Sequence, residues 1–77
     1  MTVAELSIGQ CARVAAVAAS PHLESKLREI GFCEGDDVQL MARGPFGGQP
    51  LAVRLNRRII AMRAEEALAL VIHPIHD

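Results

Sequence analysis

The chain has 77 residues, 51% of them apolar, and a net charge of −1. That length makes a single domain, residues 1–77, near the lower limit of what folds alone, with modest stability unless partners or weak homo-oligomerisation add to it. The charge balance excludes bulk attraction to nucleic acid or membranes, no basic-then-apolar leader is visible, and no apolar run approaches the roughly 20 residues of a membrane span.

In chain order, "ELSIG" is a lead-in expected to pin Leu6 and Ile8 to the core. "QCARVAAVAA" follows, with Val14 and Val17 as its bulky apolar residues. Alanine alone favours helix, but Gly9 before the run and Ser20-Pro21 after it leave only strand length, so a strand is expected. "SPHLESKLREIGF" carries the clearest local signal. Ser20 is an N-cap residue, and Pro21 fits the first helical position because its missing N–H would be unpaired there anyway. Leu23, Leu27 and Ile30 then recur at i, i+4 and i+7 on one narrow face, which predicts a short helix over about residues 20–30. Gly31 can take the left-handed conformation that ends the helix, with Phe32 folding back on Leu27 as in a Schellman ending.

Glu34-Gly35-Asp36 reads as a turn. Val38, Leu40 and Ala42 then alternate with Asp37, Gln39, Met41 and Arg43, the period of a half-buried strand. "GPFGGQP" is expected to be an irregular loop displaying Pro45 and Phe46 at its tip, although Phe46 is equally able to fold back onto the domain. In "LAVRL" the alternation puts Leu51, Val53 and Leu55 inward and Arg54 outward. Asn56-Arg57 suits a two-residue hairpin turn, since Asn tolerates positive φ. "RIIAMR" is the return strand, "AEEALA" makes a helical turn near residues 64–69, and "LVIH" is a last strand ended by Pro74. The fold class is therefore mainly β: a small barrel of about five antiparallel strands with one short helix, closed so that few sheet edges remain exposed.

Several chemistries can be weighed on these elements. "GPFGGQP" lacks the Lys and hydroxyl of a phosphate-binding loop and lies between strands. A nucleophile–base pair would have to join Cys11 or Cys33 to His22, His73 or His76, and nothing local orders them. Both thiols sit beside apolar residues and are expected to be buried and inert, as free thiols in a reducing cytoplasm. His73, His76 and Asp77 cluster near the C-terminus, and with Cys11, His22 and Cys33 they are the candidate metal ligands, for Fe(II) or an adventitious zinc; the paired short spacings of a structural zinc site are not there. The chain contains no Trp or Tyr, so it lacks the stacking platform of single-strand nucleic-acid binders and the aromatic walls of a proline-peptide groove. Between Val38 and Ala64, Arg43, Arg54, Arg57, Arg58 and Arg63 stand without any acid. Such a run is either a solvated sheet face or a docking face for an acidic partner. Phe46, Arg43 and Arg54 are the candidate contacts there, and Lys26 and Arg28 on the helix are a second candidate surface.

The succession "SPHLESKLREIGFCEGDDVQL", "RGPFGGQPLAVRL" and "IIAMRAEEALALVI" resembles the FeoA family of bacterial ferrous-iron transport proteins, over roughly Leu6 to Ile72. The resemblance implies an SH3-like β-barrel that is not an enzyme and requires no cofactor. The implied role is that of a cytoplasmic accessory, peripheral to the inner membrane through its partner, the FeoB-type permease with its GTP-binding domain. One departure is the Asn56-Arg57 turn, where relatives often place glycine. The same barrel occurs in DtxR-type metal-dependent repressors, which keeps a metal-binding or metal-sensing role as the alternative; no DNA-binding helix-turn-helix is present here.

Overall fold

Two periodicities partition this chain, and the computed structural model, which describes residues 1–75, places each where its period directs. A 3-10 turn at Val3–Glu5 precedes β1 (Cys11–Val17), α1 (Pro21–Ile30), β2 (Asp37–Gly44), β3 (Gly48–Leu55), β4 (Arg58–Met62), α2 (Ala64–Ala69) and β5 (Leu70–Pro74). The strands form one antiparallel sheet in the order β4-β3-β2-β1-β5. Beyond β5 the chain start adds one more rung: Thr2 bridges Val71, and the Ile72 N–H donates to the Met1 carbonyl at 2.9 Å. The result is a five-stranded SH3-like barrel with one principal helix, the class expected.

A single cluster fills it. Val14 of β1, Leu40 of β2, Leu51, Val53 and Leu55 of β3, Met62 of β4 and Ile72 of β5 are all buried, joined by Val3, Leu6, Leu27 and Phe32. On β1 the alternation sends Ala12 and Val14 inward and Cys11 and Arg13 outward.

α1 is capped as its sequence directs. The Ser20 Oγ accepts from the Leu23 N–H at 3.4 Å, and Pro21 stands in the first turn. Gly31 ends the helix at φ 122°, a conformation L side chains rarely adopt. The Phe32 N–H reaches back to the Leu27 carbonyl at 3.1 Å, the six-to-one bond of a Schellman ending, with Phe32 and Leu27 both buried. Arg58 adds a further stop, its Nη2 donating to the Ile30 carbonyl at 2.6 Å. A cation there also suits the negative end of the helix dipole. Gly35 takes φ 92° in its turn, where the Asp36 carboxylate accepts from the Cys33 N–H at 3.0 Å. Asn56, at φ 56°, makes the two-residue turn between Leu55 and Arg58.

Five expectations are corrected. Ile8 is 64% exposed: Gly9 at φ 90° and the Gln10-to-Ser7 backbone bond turn it out of the lead-in while Leu6 stays in. The alternation of β2 breaks at a bulge between Leu40 and Ala42, so Ala42 is exposed instead of buried. The irregular loop is shorter than "GPFGGQP", because β2 runs to Gly44 and β3 starts at Gly48. β5 extends through Pro74, which lies opposite Ala12. Finally, both cysteines are exposed: Cys11 shares the outward phase of Arg13, and Cys33 lies on the turn after α1.

Candidate functional site

The bulge in β2 decides what its arginine can do. Directly opposed residues of an antiparallel pair project from the same face, and beyond the bulge Arg43 lies opposite buried Leu51. It has moved to the core-side face at the barrel's end. There its Nη2 donates to the Ala4 carbonyl at 2.8 Å and to the Leu6 carbonyl at 2.9 Å. Arg54, three positions beyond Leu51, projects outward. The expected triad of Phe46, Arg43 and Arg54 is therefore not one surface, and Arg43 braces the N-terminal turn.

The helix cations are also committed. Arg28 bonds to both oxygens of Glu34 and reaches Glu24 at 3.3 Å. The hydrogen bonds from Arg28, aided by a backbone N–H, hold the Glu34 carboxyl down at about 2, and the same contact raises the Arg28 guanidinium above its ordinary value. Lys26 pairs at 3.1 Å with Glu66 of α2. Glu66 is the buried charged residue among those described. Burial pushes its carboxyl up, but the 2.8 Å bond from the Arg63 N–H and the Lys26 ammonium outweigh that, so the net shift is downward. Arg13 pairs with Asp37 at 3.0 Å. Among the described residues, the side chains of Arg54, Arg57 and Arg63 make no ion pair or hydrogen bond.

Two of these uncommitted arginines line depressions. The first, about 340 Å³, lies on the outer face where Cys11, Gln39 and Arg54 stand in one cross-strand row, with Asp37, Asn56 and Ile75 at its margins. Exposed Ile59 continues that row on β4. The second, about 330 Å³, lies at the β2–β3 hairpin tip and is lined by Phe46, Gln49, Pro50 and Arg63. Phe46 is displayed there at 78% exposure instead of folding back.

That tip is held in shape. Phe46 and Gln49 exchange both backbone hydrogen bonds, at 3.2 and 3.3 Å. Gly44 lets the two strands close, because a Cβ there would collide with the Gln49 carbonyl oxygen. The Gln49 Oε1 accepts from the Ala64 N–H at 2.8 Å, which fastens the hairpin to the start of α2 and brings Arg63 beside Phe46. Sequence reasoning missed this use of Arg63, since its only signal is a side-chain-to-backbone bond spanning fifteen positions.

The candidate metal ligands do not converge. His73 lies on β5 opposite Arg13, His22 sits exposed in the first turn of α1, and Cys11 faces outward on β1. No group of three or more His, Cys, Asp or Glu side chains among the described residues is placed to hold a metal ion. His76 and Asp77 lie outside those residues.

Fold and surface together define a small SH3-like barrel with a displayed aromatic hairpin. The chain belongs to the FeoA family, whose domain model matches residues 1–74. It is 37% identical to FeoA of Stenotrophomonas maltophilia, solved in complex with zinc and described as an SH3 domain protein and candidate ferrous iron transport activating factor. That match covers 95% of this chain and 89% of that one, with a TM-score of 0.83. The FeoA protein of Chlorobium tepidum is 30% identical over 99% of this chain and 71% of its own, with a TM-score of 0.88. A manganese-dependent transcriptional repressor shares the fold at 17% identity, over 97% of this chain and 41% of its own, with a TM-score of 0.86. No curated protein matches the chain.

Proposed function

We propose that this protein is a single-domain, non-enzymatic accessory of ferrous iron uptake that docks on the cytoplasmic part of a FeoB-type permease. The observation that supports this reading is the family match along residues 1–74, since membership supports a role in ferrous iron transport. No helix of the described residues is long and apolar enough to cross a membrane, so on this reading the protein meets the membrane through its partner. An accessory of this kind alters a partner's nucleotide cycle or gate only by binding one of its conformations more tightly than another. Deleting the gene while the permease is retained is expected to impair ferrous iron uptake. The cytoplasmic part of the permease is expected to retain the protein in a pull-down, to a degree that changes with bound nucleotide. Normal uptake in the deletion strain overturns the proposal.

The zinc in the Stenotrophomonas relative favours a second reading, metal binding or sensing that uses His73 and His76. Calorimetric titration with Fe²⁺ and Zn²⁺ separates the two. Tight binding that is lost when both histidines are replaced supports sensing.

A further inference from the structure

We infer that the protein's docking surface is the β2–β3 hairpin tip, with Phe46 as apolar anchor and Arg63 as the charged contact. It fits a protein segment that carries an aliphatic side chain next to a carboxylate. This inference rests on the docking reading above and assigns it a surface and a ligand chemistry.

Four observations carry it. Phe46 is the most exposed of the large apolar residues, at 78%, and nothing in the fold needs it there. It lines a shallow, open depression of about 330 Å³ together with Gln49, Pro50 and Arg63. The tip is held by Gly44, by the paired Phe46 and Gln49 backbone, and by the Gln49-to-Ala64 bond, so little ordering remains to be done on binding. Arg63 lines the same depression, and its guanidinium makes no ion pair or hydrogen bond among the described residues, acting on Glu66 only through space. Arg28, Arg43, Arg58 and Lys26, by contrast, are engaged within the domain.

Charge selects the occupant. The run from Val38 to Ala64 has no acid, and the nearby Glu66 oxygens are taken by Lys26 and the Arg63 N–H. A carboxylate arriving from outside meets no like charge in the hairpin. Aromatic and arginine anchors beside a pocket are where binding energy concentrates. The outer-face depression is the weaker candidate, because the Asp37 carboxylate is part of its lining and would meet an incoming carboxylate as a like charge.

The test uses the full chain and the purified cytoplasmic part of the permease, with affinity read by calorimetry. Phe46→Ala is expected to weaken binding by about thirtyfold, the scale of a hot-spot residue. Arg63→Glu is expected to weaken it by about tenfold, with a flatter salt dependence. Arg54→Glu and Arg57→Glu are expected to leave affinity within about twofold of the parent, as exposed charges away from the contact. Phe46, Arg54 and Arg57 are exposed, so their variants should keep the parent's circular dichroism and urea midpoint. Arg63→Glu sets a like charge near the buried Glu66 carboxylate and should lower the midpoint slightly, so its affinity is read under conditions where circular dichroism shows it folded. If the parent binds and Phe46→Ala and Arg63→Glu bind equally well, this surface is wrong while the docking reading stands. If the parent does not bind, both fall. If the parent partitions onto phosphatidylglycerol vesicles and Phe46→Ala does not, the tip is a lipid contact and the inference is overturned.

Discussion

Replacing Gly31 by Ala tests the ending of α1 as a coupled device. Two costs are expected, and they arise from different atoms. The backbone at φ 122° is unfavourable for any L side chain, at roughly 1–2 kcal/mol. The new Cβ also meets the Arg58 Nη2 at 2.7 Å and the Leu55 Cδ2 at 3.7 Å. The second contact is ordinary, so the Arg58 guanidinium is what must give. Moving it forfeits its bond to the Ile30 carbonyl. A charge-assisted bond on an exposed side chain, at the favourable end of a helix dipole, contributes about 1 kcal/mol. Gly31→Ala should therefore cost about 2.5 kcal/mol, a large share of the roughly 4–12 kcal/mol expected for a domain this size. Arg58→Ala alone should cost about 1 kcal/mol by losing the same bond.

The double variant separates the terms. With Arg58 already removed, the methyl group added by Gly31→Ala has nothing to displace, and only the backbone cost remains to be added. The pair should then cost about 2.5 kcal/mol in total, not the additive sum of about 3.5 kcal/mol, a coupling near 1 kcal/mol. Urea unfolding followed by far-ultraviolet circular dichroism measures all four proteins, with the slope checked for constancy. Additive costs would refute the argument that Arg58 and the glycine share one space.

Two further outcomes follow from the same contacts. Leu27→Ala removes a fully buried side chain from the centre of the core and should cost about 2–5 kcal/mol, read as a lower urea midpoint with uptake lost through unfolding; a cost within a few tenths of a kcal/mol would mean the helix is not packed as described. Glu34, held down at about 2 by Arg28, stabilises the fold above its ordinary value of 4.5, and that contribution is lost as pH falls from about 4.5 through 2. Glu34→Gln should therefore match the parent at the acid end and fall behind it as pH rises through that window, and a gap that is constant with pH rejects the pairing.

What the sequence made legible were the features written locally. α1 carries its cap, stripe and stop within twelve consecutive residues, and each behaves as its chemistry dictates. Leu51, Val53, Leu55 and outward Arg54 follow from period two because β3 has no bulge there. β2 shows the limit. "VQLMAR" alternates without interruption, and only its pairing with β3 reveals that Met41 is an extra residue and that Arg43 has changed faces. A bulge adds no composition signal of its own when every residue involved is compatible with a strand. The hairpin tip shows a related limit: Phe46 was visible as an aromatic at a loop tip, whereas Arg63 comes beside it through a contact that no spacing announces. The thiols were judged by sequence neighbours, and the outward phase that Cys11 shares with Arg13 was the better guide.

The bond from the Ala64 N–H to the Gln49 side chain has an experimental consequence. This amide opens a helix, yet its protection from solvent deuterium depends on a glutamine in a hairpin fifteen residues away. Its exchange rate therefore reports how often the tip lifts from α2. It is a label already present in the chain, needing no fluorophore and no substitution. Anything that grips the hairpin should slow the exchange of Ala64, by more than its global stabilisation slows an amide deep in β3.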